Sequence, residues 1–162
     1  MGHILLKIKK SLFFFILIKI CFTDIICTTT IISSVIKDLT ENKIKVTTVV
    51  SSGICPGHAD IRIADLKVIE KDKVLFAHGF EPYLEKIKKT IKNSNLKIVI
   101  IETKGNLLIP ENQKILYEKI KDELIKIYPD YEKLLQKNLN KKKEEIDNVD
   151  IEIKSKLEKY KG

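Results

Sequence analysis

Residues 51–80 read SSGICPGHADIRIADLKVIEKDKVLFAHGF, and the fold turns on how they divide. They follow a β-branched run, KIKVTTVV at 43–50, which begins with alternation and ends fully apolar. Such a run suits a strand entering a sheet covered on both sides. The chain then turns through Gly53, Pro56 and Gly57, presenting Cys55, His58 and Asp60. At 61–71, Ile63, Leu66 and Ile69 recur at helical spacing. KVLFA at 73–77 is a further strand, and it ends at His78. Strand, loop, helix and strand in that order predict parallel strands joined by a right-handed crossover.

The same pattern extends outward in both directions. Upstream, residues 25–29 form a short apolar run suited to a buried strand. Thr30 is positioned to cap a helix over 31–39, where Ile32, Val35, Ile36 and Leu39 share a face. Downstream, Glu81 and Pro82 suit the first turn of a helix over 81–93 with Leu84, Ile87 and Ile91 inward. LKIVII at 96–101 is the fourth strand. A loop at 103–109 leads to a helix over 110–127 with Ile115, Ile120, Leu124 and Ile127 as its stripe, ended by Pro129. Residues from 130 to about 160 read as one long helix. Tyr131, Leu134, Leu135 and Leu139 form its best face, which thins to Ile146, Val149, Ile153 and Leu157. A helix so rich in Lys and Glu needs something to lie across. The expected fold is α/β, with a four-stranded parallel sheet flanked by helices and followed by a long C-terminal backbone helix.

Composition narrows the function. The chain of 162 residues is 44% hydrophobic with 4 Pro and 6 Gly, enough to bury one core and unlike a disordered tail. The net charge of +8 comes almost wholly from Lys, with Arg62 the sole arginine. These lysines are spread beside Glu on helix faces, as at Glu85 and Lys89, which argues against a nucleic-acid partner. Cys21, Cys27 and Cys55 form no C-x-x-C pair and no disulfide framework.

Residues 1–23 read as a signal or anchor segment. Lys7, Lys9 and Lys10 precede SLFFFILI at 11–18, and that basic-then-apolar order favours an export signal over a buried element of the domain. Lys19 interrupts the run short of the roughly twenty apolar residues of a stable span. Cleavage and tethering both remain open. The expected location is extracytoplasmic, at the cell surface or in the periplasm. Residues 24–128 then form the α/β lobe, and residues 129–162 the long helix.

Three segments carry a family resemblance: TTTIISSVIKDL at 28–39, VTTVVSSGICPGHADIRIADLKVIEKDKVLFAHGFEPYLEKI at 46–87, and LLIPENQKILYEKIKDEL at 107–124. A Tyr-Pro-Asp junction at 128–130 then enters the long helix. In this order they resemble the N-terminal lobe of the zinc/manganese solute-binding proteins of metal ABC transporters. The resemblance implies two α/β lobes joined by a backbone helix, with a metal clamped between them. It implies one ligand from the loop after the second strand, at the position of His58. A second family histidine would fall at Gly105 or Asn106, so none stands there. The family's Pro-Ser-Asp appears as Ile63-Ala64-Asp65, keeping only the Asp. Remaining ligands belong to a second lobe outside this sequence. The resemblance thus implies a truncated or half version of the metal-binding component, partnered by a membrane permease and a separately encoded second lobe. The bound ion is cargo, zinc before manganese.

A separate physical argument supports part of this. Ligands of an open parallel sheet sit beyond the carboxyl ends of its strands, where Cys55, His58, His78 and Glu102 all fall. His58 has both the resemblance and the edge position. His78 has the edge position alone, set against a structural imidazole satisfied by nearby backbone. Cys55 is read as a buried small residue, and Asp60 and Glu102 as N-cap or surface groups. The expected metal ligands are therefore His58 and His78. The competing class is a non-metal surface interaction module that keeps the fold. With no nucleophile–base pair and no Gly-rich phosphate loop, the chain is not read as an enzyme.

Overall fold

The computed structural model describes residues 25–50, 52–158 and 160. The expected signal segment, residues 1–23, lies outside these. Four strands, β1 (Ile25–Cys27), β2 (Val46–Thr48), β3 (Val74–Ala77) and β4 (Lys97–Ile100), form one sheet in the order β2-β1-β3-β4. All pairings are parallel, with Ile26 opposite Thr47 and Leu75, and Phe76 opposite Val99. The helices are α1 (Thr30–Thr40), α2 (Ile63–Ile69), α3 (Leu84–Thr90), α4 (Pro110–Ile127) and α5 (Glu132–Glu158), with a 3-10 turn at Pro129–Tyr131 between the last two.

Alternation along the central strands builds two cores, because successive strand side chains point to opposite faces. Ile25, Cys27, Val74 and Phe76 face α1, α4 and the start of α5, meeting Ile32, Ile36, Leu116, Ile120, Leu124, Leu135 and Leu139. Ile26, Leu75 and Ala77 face α2 and α3, meeting Leu66, Ile69, Leu84 and Ile87. The expected α/β sheet, covered on both sides, is the observed one.

Local departures follow from packing and hydrogen bonding. Thr29, not Thr30, caps α1; it has extended backbone and its side chain accepts from Ile32 N. Of the three residues at helical spacing, Leu66 and Ile69 are buried, whereas Ile63 opens the short helix α2 and is 75% exposed. Along α4 the buried stripe is Leu116, Ile120 and Leu124, whereas Ile115 is 46% exposed. A one-residue shift turns a helical side chain by about 100°, so Leu116 occupies the space that Ile115 was assigned. Residues 81–83 form a turn before α3, and the long helix is preceded by the 3-10 turn that contains Tyr131.

The long helix is pinned by polar groups as well as Leu135 and Leu139. Buried Asn138 donates through Nδ2 to Leu39 O at 2.9 Å, satisfying a carbonyl at the end of α1. Lys142 reaches Asp38 and Glu145, while Lys114 and Lys143 of this bundle pair with Asp147 and Glu118. Beyond these anchors Val149, Ile153 and Leu157 are each at least half exposed. None of the described helices is long and apolar enough to cross a membrane.

Candidate metal site

The carboxyl edge of the sheet brings together the ends of β1 and β3 more tightly than their sequence separation suggests. After β1 come Thr28 and Thr29; after β3 come His78 and Gly79. His78 is only 4% exposed. Its Nε2 lies 3.0 Å from Thr29 Oγ1, and its Nδ1 lies 3.4 Å from Thr103 Oγ1. Its ring stacks on Phe80 with centroids 5.2 Å apart. Burial lowers the His78 pKa, opposed by the nearby Glu81 charge and by a hydrogen bond to the Ile101 backbone. The neutral imidazole, the form that ligates metals, is therefore favoured.

Glu81 holds this edge in place. Its carboxylate is buried, and it accepts from Thr28 Oγ1 at 2.5 Å, His78 N at 2.9 Å and Gly79 N at 2.7 Å. Three donors satisfy it, as a buried carboxylate requires. Gly79 is needed as glycine: φ is +96°, and a Cβ there would lie 2.8 Å from Ile100 Cγ2.

His58 stands apart from His78. It is exposed, at the end of a turn closed by its own N–H donating to Cys55 O at 3.0 Å. Strand β1 lies between β2 and β3. The two loops thus leave the sheet two strand spacings apart, about 10 Å. A cavity of ≈ 400 Å³ beside His78 is also lined by Phe80, Lys88, Glu102, Thr103 and Lys104, but not by His58. Among the described residues, no three His, Cys, Asp or Glu side chains converge as a metal cluster. Cys55, expected to be buried, is exposed on the turn. Asp60 is a surface group, accepting from Ile61 N at 2.8 Å and pairing with Lys86. Glu102 is exposed, and its carbonyl accepts from Lys119 Nζ.

The loop where the resemblance places a second histidine is built for other purposes. Gly105 has φ +83°, and a Cβ there would lie 2.8 Å from Asn112 Nδ2. That amide donates to Asn106 O, and Asn106 Oδ1 accepts from Leu108 N. The segment is a turn tied down onto α4. Sequence reasoning missed Thr29, Thr103 and the buried role of Glu81. The edge argument that found His78 also reaches Thr28, Thr29 and Thr103, since each follows a strand.

Comparisons with known proteins agree on the architecture. The family model described as zinc-uptake complex component A, periplasmic (ZnuA), matches residues 25–162. A Mn-bound periplasmic metal-binding protein from Candidatus Liberibacter asiaticus has the same fold, with a TM-score of 0.72 at 21% identity over 85% of this chain and 57% of that one. The Zn(II)-bound ZnuA-like domain of Streptococcus pneumoniae AdcA matches with a TM-score of 0.66 at 17% identity, covering 79% of this chain and 53% of that one. The chain thus spans under two thirds of the length of these structures. A search of curated proteins returned no match.

Proposed function

The chain belongs to the periplasmic zinc-uptake component A family, and from that premise we propose that it is an extracytoplasmic divalent-metal-binding lobe serving an ABC-type importer. The ion is cargo, and its capture is ligation without chemical change. A membrane permease is the downstream partner, and zinc is preferred over manganese. His58 and His78 are the ligands within this lobe.

The observation that carries this reading is the position of both histidines beyond the carboxyl ends of a parallel sheet, the edge where such folds bind ligands. The two residues have different parts. His58 is exposed on its turn and makes first contact with the ion. His78 is a neutral imidazole held by Thr29 and Thr103. Its Nδ1, held by the longer of those contacts, is the nitrogen that exchanges to the metal once the loop carrying His58 swings across the roughly 10 Å between the two strand ends. Imidazole nitrogen suits zinc, and a site richer in oxygen would suit manganese.

Calorimetric titration of the full chain with zinc and with manganese tests this, using His58→Ala and His78→Ala. Loss of zinc binding in the first variant, and weakening by about tenfold or more in the second, is expected. If both variants bind zinc as the wild type does, or if the folded wild type binds neither metal, the reading fails.

A further inference from the structure

We propose that Cys55 is a ligand beside His58, so that the turn at 55–58 chelates one thiophilic divalent cation and tilts the lobe toward zinc or cadmium and away from manganese. This rests on the metal-binding reading above and adds sulfur to it. The two side chains belong to one turn, closed by the hydrogen bond from His58 N to Cys55 O. The ends of such a turn lie within about 7 Å of each other. That is a span across which sulfur and imidazole can share an ion at about 2.3 and 2.0 Å. Both residues are exposed, so neither must be withdrawn from a core to reach the ion.

Gly57 stands between them and leaves the face of the turn open. An added Cβ at Gly57 would sit 3.9 Å from Cys55 Sγ, which places the sulfur beside the residue preceding His58. Cys27 offers no such chemistry: it is buried beneath α1, and burial pushes its thiol pKa up. On binding, the Cys55 thiol gives its proton to solvent as the sulfur–metal bond forms, and no electrons are transferred. Thiolate is a soft donor that suits zinc and cadmium, whereas manganese prefers carboxylate, carbonyl and water.

Cadmium is the direct probe, since a cadmium–thiolate bond produces an ultraviolet charge-transfer band. Added to the reduced full chain, it should raise that band to saturation at one ion per chain. Cys55→Ser should abolish the band and weaken cadmium and zinc by about tenfold or more, leaving manganese affinity unchanged. A band that persists in Cys55→Ser, or unchanged cadmium and zinc affinity in that variant, overturns the proposal. If His58→Ala loses these metals while Cys55→Ser keeps them, the metal-binding reading stands and the sulfur ligand does not. If the folded wild type binds none of the three, both fall.

Discussion

Tyr117 Oη donates a 2.6 Å hydrogen bond to Asp38 Oδ2, tying α4 to α1 across 79 residues of sequence. Lys142 of α5 approaches the same carboxylate oxygen at 3.4 Å, so three helices meet at Asp38. Hydrogen bonds to charged groups contribute about 1.5–3 kcal/mol when well shielded, and this one is only partly buried. Tyr117→Phe should therefore lower stability by about 1 kcal/mol. The urea midpoint would report it, with the m value unchanged; an unmoved midpoint would show that the bond contributes nothing.

The same phenol makes stability depend on alkaline pH. Burial, first, and then the Asp38 hydrogen bond and charge raise the Tyr117 pKa above its ordinary value of 10.0. The folded state keeps this proton more tightly than the unfolded state. Its contribution is complete below pH 10 and is lost as pH rises above that toward the folded value. Tyr83, raised chiefly by burial, adds in the same direction. Denaturation midpoints measured at pH 9 and 11 (roughly one unit either side of the free phenol value) should fall less in Tyr117→Phe than in the wild type. Equal falls would show that Tyr117 is not the titrating group.

Asn138 faces a core and satisfies Leu39 O. Asn138→Ala removes that donor and opens a void, at a cost of about 1–3 kcal/mol. Since α5 otherwise holds to α1 through Leu135, Leu139 and the Lys142–Asp38 pair, the change should also raise hydrogen exchange in the first turns of α5. Unaltered exchange there would mean that the remaining anchors suffice.

Glu81→Gln tests the clamp under His78. Its oxygen can still accept the donors of one carboxylate oxygen, but its amide would face Gly79 N–H or His78 N–H, donor against donor. An unmet buried backbone donor costs about 1–3 kcal/mol. A thermal shift of several degrees and a changed His78 imidazole resonance are expected; a native-like resonance would show that Glu81 does not position this histidine.

Gly105→Ala asks whether the position matched to the family's second histidine could carry a side chain. The left-handed backbone costs an L-residue about 1–2 kcal/mol, and the Asn112 amide must also move. Gly105→His should be at least as destabilised and gain no zinc affinity. A stable Gly105→His variant that binds zinc more tightly would reverse this account of the loop.

Much of the fold was legible from local pattern. The β-branched runs at 25–29, 43–50, 73–77 and 96–101, alternating with helical spacing, led to four parallel strands, because such runs bury both faces only between helix layers. Pro110 and Pro129 marked the bounds of α4, since proline suits a first turn and ends a helix already running.

What periodicity could not reach was decided by the tertiary structure. It does not separate Leu116 from Ile115, nor bury Asn138, because both depend on how α4 and α5 are rotated against α1. The sequence singled out His58 and His78 as the chain's chemistry, and the fold decided their surroundings. His78 is enclosed by Thr29, Thr103 and Glu81, while His58 is left on an open turn with Cys55. The cause is strand order. With β1 inserted between β2 and β3, residues remote in sequence are packed around one histidine, and the loop that carries the other leaves the sheet two strands away.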